Sequence, residues 1–252
     1  MITSRTNQFV SHIKQLNSSK NYRHLHYQIV LETYRTIIDT LTHRPKLIDF
    51  ILTTPTHESI IKLAKKHNIT VYICDDTCAS YCAHVQHAAG CFAVVNFPRW
   101  EPKEKTHALA IAIVDINNPA NLGSILRNAH AFGCNVIYRI GNSCDLLHPE
   151  CVRASAGNLF SIPIYDLNTK EIERYLNGYN CWTLDSNSTT HLSDIQKSKH
   201  LCFIFGSEIG FKSADINPNN TCIIPMHNNV DSLNVAATSA IVLHAFSKLT
   251  PN

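Results

Sequence analysis

Short apolar runs punctuate the second half of the chain at A108-L-A-I-A-I-V, N135-V-I-Y-R-I, S161-I-P-I-Y, N180-C-W-T-L, L201-C-F-I-F and T221-C-I-I-P. Helical patterns separate several of them. Buried strands that alternate with helices predict a mostly parallel sheet covered on both faces. Such a sheet binds ligands at the carboxyl ends of its strands, so the loops that follow strands carry the information. The first half alternates in a smaller way. Phe9, Val10, Ile13 and Leu16 fall at helical spacing. Residues 27–41 read as a helix that runs into the strand L47-I-D-F-I-L, then come a helix from Ser59, the strand T70-V-Y-I-C and a closing strand C91-F-A-V-V. The expectation is a small layered α/β domain.

The seam between the halves is N96-F-P-R-W-E-P-K-E-K-T106, with two prolines, five charges and few aliphatics. The division is therefore 1–96, a linker over 97–106, and a second domain over 107–252. Composition changes little in this picture. With 44% hydrophobic and 16% charged residues the 252-residue chain supports buried cores and excludes a disordered chain. No apolar run reaches membrane-spanning length, and the N-terminus lacks the apolar core of a signal peptide. Ten cysteines without an export signal read as reduced thiols in the cytoplasm. Cys74, Cys78 and Cys82, with His84 and His87 behind them, are the only cluster with metal-ligand chemistry. They lack a C-x2-C pair, so a spacing of four on one helix face is the expected reading and no metal is expected. Charge is uneven: residues 1–50 hold seven Lys/Arg and four His against Glu32, Asp39 and Asp49. A basic face for phosphate is the functional reading of that excess, and a solvated surface the plain one.

Three strand-end loops stand out. The first is N118-P-A-N-L-G-S-I-L-R-N-A-H-A-F-G133. Asn117 or Asn118 caps a helix, Pro119 takes its first turn, Leu122, Ile125, Leu126 and Ala129 form the buried stripe, and Gly133 ends it. Folding does not account for Asn121, Gly123 and Arg127, which lie off that stripe; a guanidinium at a strand end grips a phosphate or an alkoxide. The second is F205-G-S-E-I-G-F211, where two glycines bracket Glu208 after a buried strand. The third is I224-P-M-H-N-N-V-D-S-L-N-V-A-A-T-S-A240, a polar loop leading into a small-residue helix capped by Asp231 or Ser232. Each loop alone is also compatible with an ordinary turn.

In this order the three loops resemble the SpoU (TrmH-like) branch of the SPOUT methyltransferases. N121-L-G-S-I-L-R-N-A129 matches the first motif, Asn-x-Gly-x-x-x-Arg-x-Ala. G206-S-E-I-G-F211 matches the second, with Ile209 where the family usually has glycine. I224-P-M-x-x-x-V-x-S-L-N-V-A236 matches the third, and R153-A-S-A-G157 is similar to a recurrent family segment. The resemblance covers about residues 107–249. The first part is similar to the family's N-terminal substrate-binding domain, with Glu32-Thr33 where Glu-Gly usually closes the first strand.

The resemblance implies a deep trefoil knot, S-adenosylmethionine as cofactor, a homodimer, and methyl transfer to a ribose 2′-hydroxyl of RNA. Ribosomal RNA is preferred to transfer RNA by analogy. It implies cofactor contacts at Gly206, Ile224 and Leu233, and a catalytic cluster of Asn121, Arg127, Glu208, Ser232 and Asn234. The strand end at Thr183-Leu184 is a further cofactor contact. The alternative is a SPOUT-like RNA-binding protein without catalysis, for which Ile209 is the foothold. A nucleotide-dependent dehydrogenase ranks last, because the loop after residues 108–114 has one glycine and no G-x-G-x-x-G. A radical iron–sulfur enzyme is disfavoured by the C-x3-C-x3-C spacing of residues 74–82.

Overall fold

The computed structural model describes residues 1–84, 90–101, 109–206, 220–227, 230 and 232–247. The chain divides into two compact units. One is Met1–Arg99 with Asp145–Phe160, the other Trp100–Cys144 with Ser161–Asn252. A cut at 97–106 assigns residues 145–160 to the second part, whereas their contacts group them with the first.

The first unit begins with α1 (Gln8–Ser18), capped by the Asn7 side chain, which accepts from the Phe9 N–H at 3.0 Å. Then follow α2 (Lys20–His26), β1 (Gln28–Leu31), α3 (Tyr34–His43), β2 (Ile48–Thr53), α4 (Glu58–Lys66), β3 (Thr70–Ile73), α5 (Asp76–Cys82) and β4 (Cys91–Asn96). The sheet order is β1-β4-β2-β3, with β4 antiparallel to both neighbours and β2 parallel to β3. Val10, Ile13 and Leu16 of α1 pack over Val30, Leu52, Phe92 and Val94 of the sheet.

The helix expected over residues 27–41 is corrected. Tyr27 takes φ +54° and ends α2; Ile29, Val30 and Leu31 are then all buried in β1. Consecutive buried β-branched residues suit a strand closed on both faces, which periodicity over a longer window merges with the helix beyond. Thr33 caps α3, so the threonine beside Glu32 has a structural task. Glu32 itself accepts from the His84 N–H and from Asn17, whose amide also donates to the Cys82 carbonyl at 3.1 Å. Burial raises its pKa against the pull of those bonds.

Cys74 follows β3, and Cys78 and Cys82 line the inner face of α5; all three lie in the apolar core. Burial pushes Cys74 up to about 11 and Cys82 up to about 12, so both are thiols at neutral pH.

The later segment of this unit is held by a buried ion pair. Arg23, 4% exposed, reaches Asp145 Oδ2 with Nε at 3.1 Å and Nη2 at 2.7 Å, and gives Nη1 to the Leu16 carbonyl at 2.9 Å. His24 Nε2 and the Leu147 N–H meet the other carboxylate oxygen. The helix Pro149–Ala154 follows, then a turn in which Ala156 and Gly157 are both left-handed, at φ +49° and +79°. The R153-A-S-A-G157 segment is this turn, with Ser155 wholly buried.

The second unit holds β5 (Leu109–Val114), α6 (Pro119–Ala131) and β6 (Val136–Ile140). The Pro149–Ala154 helix is α7 in chain order, and β7 (Ile164–Leu167), α8 (Thr169–Leu176), β8 (Asn180–Leu184), β9 (Leu201–Gly206), β10 (Asn220–Cys222) and α9 (Val235–Phe246) complete the list. Six strands run in the order β10-β8-β9-β5-β6-β7, and every neighbouring pair is parallel. The expected sheet is therefore present. All six residues of β5 are buried, and so are the first five of β9, as a sheet covered on both faces demands.

The acid dependence of the first unit follows from Asp145. Burial alone would raise its pKa, but Arg23, the Leu147 N–H and His24 hold it below the usual carboxylate range. A depressed folded value stabilises above the unfolded pKa and is lost as pH falls through the folded one, so this contribution fades below about pH 4. Asp145→Asn leaves the Arg23 charge buried without its counter-ion and is expected to cost about 3–5 kcal/mol in denaturant unfolding. It should also flatten the acid limb of stability against pH.

Candidate active site

β5 ends at Val114, and the chain turns through Asp115, which has φ +53° and is buried. Its carboxylate accepts from the Asn142 N–H at 2.9 Å, and the Ile116 N–H donates to Ser143 Oγ at 3.2 Å. These bonds tie the loop after β5 to the loop after β6. Asn118 then caps α6, accepting from the Asn121 N–H at 3.0 Å, with Pro119 in the first turn. Gly133 follows the helix at φ +75°, a backbone that favours glycine. One expectation changes: Gly123 is buried along with the stripe.

α6 packs against α9, and polar side chains fix the contact. Asn121 Oδ1 accepts from Asn234 Nδ2 at 3.1 Å. Asn234 Oδ1 in turn accepts from the Ala236 N–H at 2.8 Å, so Asn234 is the cap of α9. The expected cap was Asp231 or Ser232; Ser232 lies exposed two residues before the capping position, and Asp231 lies outside the described residues. Asparagine serves both tasks with separate atoms, Oδ1 capping the helix and Nδ2 donating to α6, whereas a carboxylate has no proton to donate. A turn further on, Asn128 Nδ2 donates to the Ala236 carbonyl and to Ser239 Oγ, both at 2.9 Å. Ser239 is wholly buried, and its hydroxyl donates to the Ala236 carbonyl at 2.8 Å. Sequence reasoning missed Asn128. The available signal was a pair of polar residues, Asn128 and Ser239, each set among small and apolar neighbours on its own helix.

Arg127 stands exposed on α6, one residue before Asn128. Gly206 closes β9 and pairs in register with Val114, so the strands leading to the first and second motifs end side by side. Glu208 and Ile209 lie outside the described residues. Ile224 follows Ile223, which bridges His191, donates its N–H to the Thr190 carbonyl at 2.9 Å and accepts from the Leu192 N–H at 3.0 Å. The strand expected to reach Pro225 thus ends at Cys222 with that single bridge beyond it. Leu233 is 37% exposed. The Thr183 hydroxyl donates to the Ile204 carbonyl at 3.3 Å, which commits it inside the sheet. The structure therefore brings Asn121 and Asn234 into contact and sets Gly206 at the same edge of the sheet as the start of α6.

The SpoU rRNA methylase family model matches residues 108–244, and the chain belongs to that family of RNA methyltransferases. Among curated proteins, an uncharacterised tRNA/rRNA methyltransferase of Synechocystis is 26% identical, covering 96% of this chain and 92% of the relative. The 23S rRNA (guanosine(2553)-2′-O)-methyltransferase of Bacillus subtilis is 22% identical over 96% of this chain and 97% of its own. The chain covers 39% of the mitochondrial rRNA methyltransferase 3 of Xenopus tropicalis. Among solved structures, an AdoMet-bound rRNA methyltransferase from Sinorhizobium meliloti superposes with a TM-score of 0.81 at 23% identity, covering 97% of this chain and 95% of its own.

Asn128 gives a direct test. Asn128→Ala removes the two bonds that Asn128 donates to α9 and is expected to cost about 1–3 kcal/mol in unfolding. Asn128→Asp sets a carboxylate against the Ala236 carbonyl and is expected to cost more than alanine. Equal stability of the wild type and both variants would show that the two bonds contribute nothing.

Proposed function

We propose that this chain transfers a methyl group from S-adenosylmethionine to a ribose 2′-hydroxyl of RNA, ribosomal RNA before transfer RNA. The observation that carries the reading is the Asn121–Asn234 hydrogen bond, which joins the first and third motifs beside the strand end at Gly206. The cofactor is S-adenosylmethionine, held by Gly206, Ile224 and Leu233. A strand-end glycine beside neutral side chains suits it, since close backbone approach costs nothing there and no metal is required. When bound it supplies a methyl group made electrophilic by a sulfonium.

What remains for the protein is alignment and help for a weakly acidic hydroxyl. Arginine keeps its proton at any physiological pH, so Arg127 acts as a charge that stabilises the developing alkoxide, and the proton leaves to phosphate or water. Asn121 and Asn234, fixed against each other, orient the ribose or Arg127. Glu208 and Ser232 complete the cluster. For the C-terminal part of the chain we infer the trefoil knot that the family resemblance implies.

A second copy completes the assembly. Ala237, Ile241 and Ala245 of α9 are all exposed at intervals of four residues, with Ile241 42% exposed, and Leu233, just before the helix, is exposed too. This apolar stripe along α9 is suited to burial against the same helix of a partner. The ten cysteines form no disulfide with one another, and a reducing cytoplasm is the compartment we infer.

The test is transfer of labelled methyl to RNA from cells lacking the protein, fractionated by size and digested to nucleosides. Label in a 2′-O-methyl nucleoside of the ribosomal fraction is expected. Label on a base, or none in a preparation that binds S-adenosylmethionine, defeats the reading, the latter in favour of a non-catalytic RNA-binding protein. Arg127→Ala is expected to lower turnover by about 10²–10³-fold with cofactor binding nearly unchanged. Ile241→Glu places a charge in the stripe and is expected to give a monomer in analytical ultracentrifugation, with transfer reduced; an intact dimer would refute that interface.

A further inference from the structure

The first unit carries an open cleft of about 420 Å³ between α1, α2 and the β2–β3 side of its sheet, remote in sequence from the methylase motifs. Phe9, His12, Tyr22, Asp49 and Tyr72 line it. Phe9 and Tyr72 stack on each other with ring centroids 3.7 Å apart and planes 23° apart, and Phe50 meets both edge-on. The result is a braced aromatic plate, neither buried nor fully exposed. No step of the methyl transfer above uses it.

The polar wall of the cleft has a fixed direction. Gln28 spends both amide protons, on Asp49 Oδ2 at 3.1 Å and on Asn96 Oδ1 at 2.9 Å. Its carbonyl oxygen therefore faces His12 Nε2, 2.8 Å away, and that nitrogen must donate. Burial lowers the pKa of His12, with His26 adding to the effect, and outweighs the Gln28 bond, so the ring is neutral at physiological pH. Its Nδ1 then accepts, and the Tyr22 hydroxyl 2.8 Å away donates to it. With its proton committed, the Tyr22 oxygen has only lone pairs left to offer. Asp49 is exposed, and as a carboxylate it offers only acceptors too.

An aromatic plate beside the acceptors of Tyr22 and Asp49 selects a flat ligand with adjacent donors on one edge, while Gln8 and Thr70, also on the lining, can donate or accept. Among the bases of RNA, guanine alone has neighbouring N1–H and N2–H donors on its pairing edge; adenine and uracil alternate donors with acceptors, and cytosine has one donor beside two acceptors. Unstacked bases are read in this manner, by stacking on aromatic rings and hydrogen bonds to their pairing edge. We propose that this cleft binds an unstacked guanine of the RNA substrate and that Asp49 reads it, an inference that rests on the chain acting on RNA. The positive excess over residues 1–50 favours an RNA backbone around the cleft.

The experiment is fluorescence anisotropy of the full-length chain with short uridine RNAs carrying one central guanosine, inosine, adenosine or cytidine. The guanosine RNA is expected to bind about tenfold tighter than the adenosine, cytidine and all-uridine RNAs, with inosine, which lacks the N2 amine, in between. Asp49→Ala, at an exposed position, should erase the preference, and Tyr72→Ala should weaken all the RNAs alike. Equal binding of all the RNAs, an unchanged preference in Asp49→Ala, or no binding of any of them would overturn the proposal. Tyr22→Phe, which removes only the phenol oxygen, should weaken the guanosine RNA selectively; it guards against a folding defect in the other variants. Methyl transfer by the wild-type chain is measured in parallel. Failure there refutes the methyltransferase reading, whereas transfer together with indifferent binding refutes the cleft alone.

Discussion

All strands of the six-stranded sheet point the same way, and that direction organises the candidate site. A parallel sheet sends each carboxyl end to one edge, so loops far apart in sequence leave from neighbouring places. Register sharpens this. Val114 and Gly206 face each other across β5 and β9, which sets the end of β9 beside the start of the loop that leads to α6. Because β5 and β9 are buried on both faces, a slip of either strand would disrupt the core, so the packing that stabilises the sheet also fixes the site edge.

Two small-residue helices then need a reason to meet in one way only. α9 is apolar around most of its circumference, and burial alone would let it slide or rotate on α6. The Asn128–Ser239 and Asn121–Asn234 bonds remove that freedom. Ser239 is wholly buried and costly if misaligned, so a single seating of the two helices satisfies it together with Asn128. The arrangement places structural and candidate catalytic asparagines on the same helix face, a turn or two apart, with Arg127 exposed between them in sequence.

The sequence was most legible where local chemistry decides the outcome. The fully apolar runs at β5 and β9, the Asn118 cap with Pro119 after it, and the left-handed Gly133 each follow from a few adjacent residues. The strand at residues 28–31 was lost because a turn at Tyr27 separates it from α2, and left-handed tyrosine leaves no signal in composition. Asn234 was read as a member of the site but not as a cap, since Asp231 and Ser232 compete with it locally and its bond to Asn121 lies more than a hundred residues away. Asn128 left only the faint signal of a polar residue paired with Ser239, because its partners also lie more than a hundred residues away. The grouping of residues 145–160 with the first unit rests on Asp145 meeting Arg23, a pairing that no local pattern encodes.

That last pairing bears on synthesis. A chain leaving the ribosome presents Arg23 long before Asp145, and the guanidinium is placed to be buried by α1 and α2. Until residues 145–160 emerge, the first unit lacks both the counter-ion and the α7 surface. Its completion must therefore wait for β5, α6 and β6 of the second unit to be synthesised. Domains usually fold as units, in the order they are made. Here the order is interleaved, so the first unit remains an unfinished, basic fragment until residues 145–160 have been made.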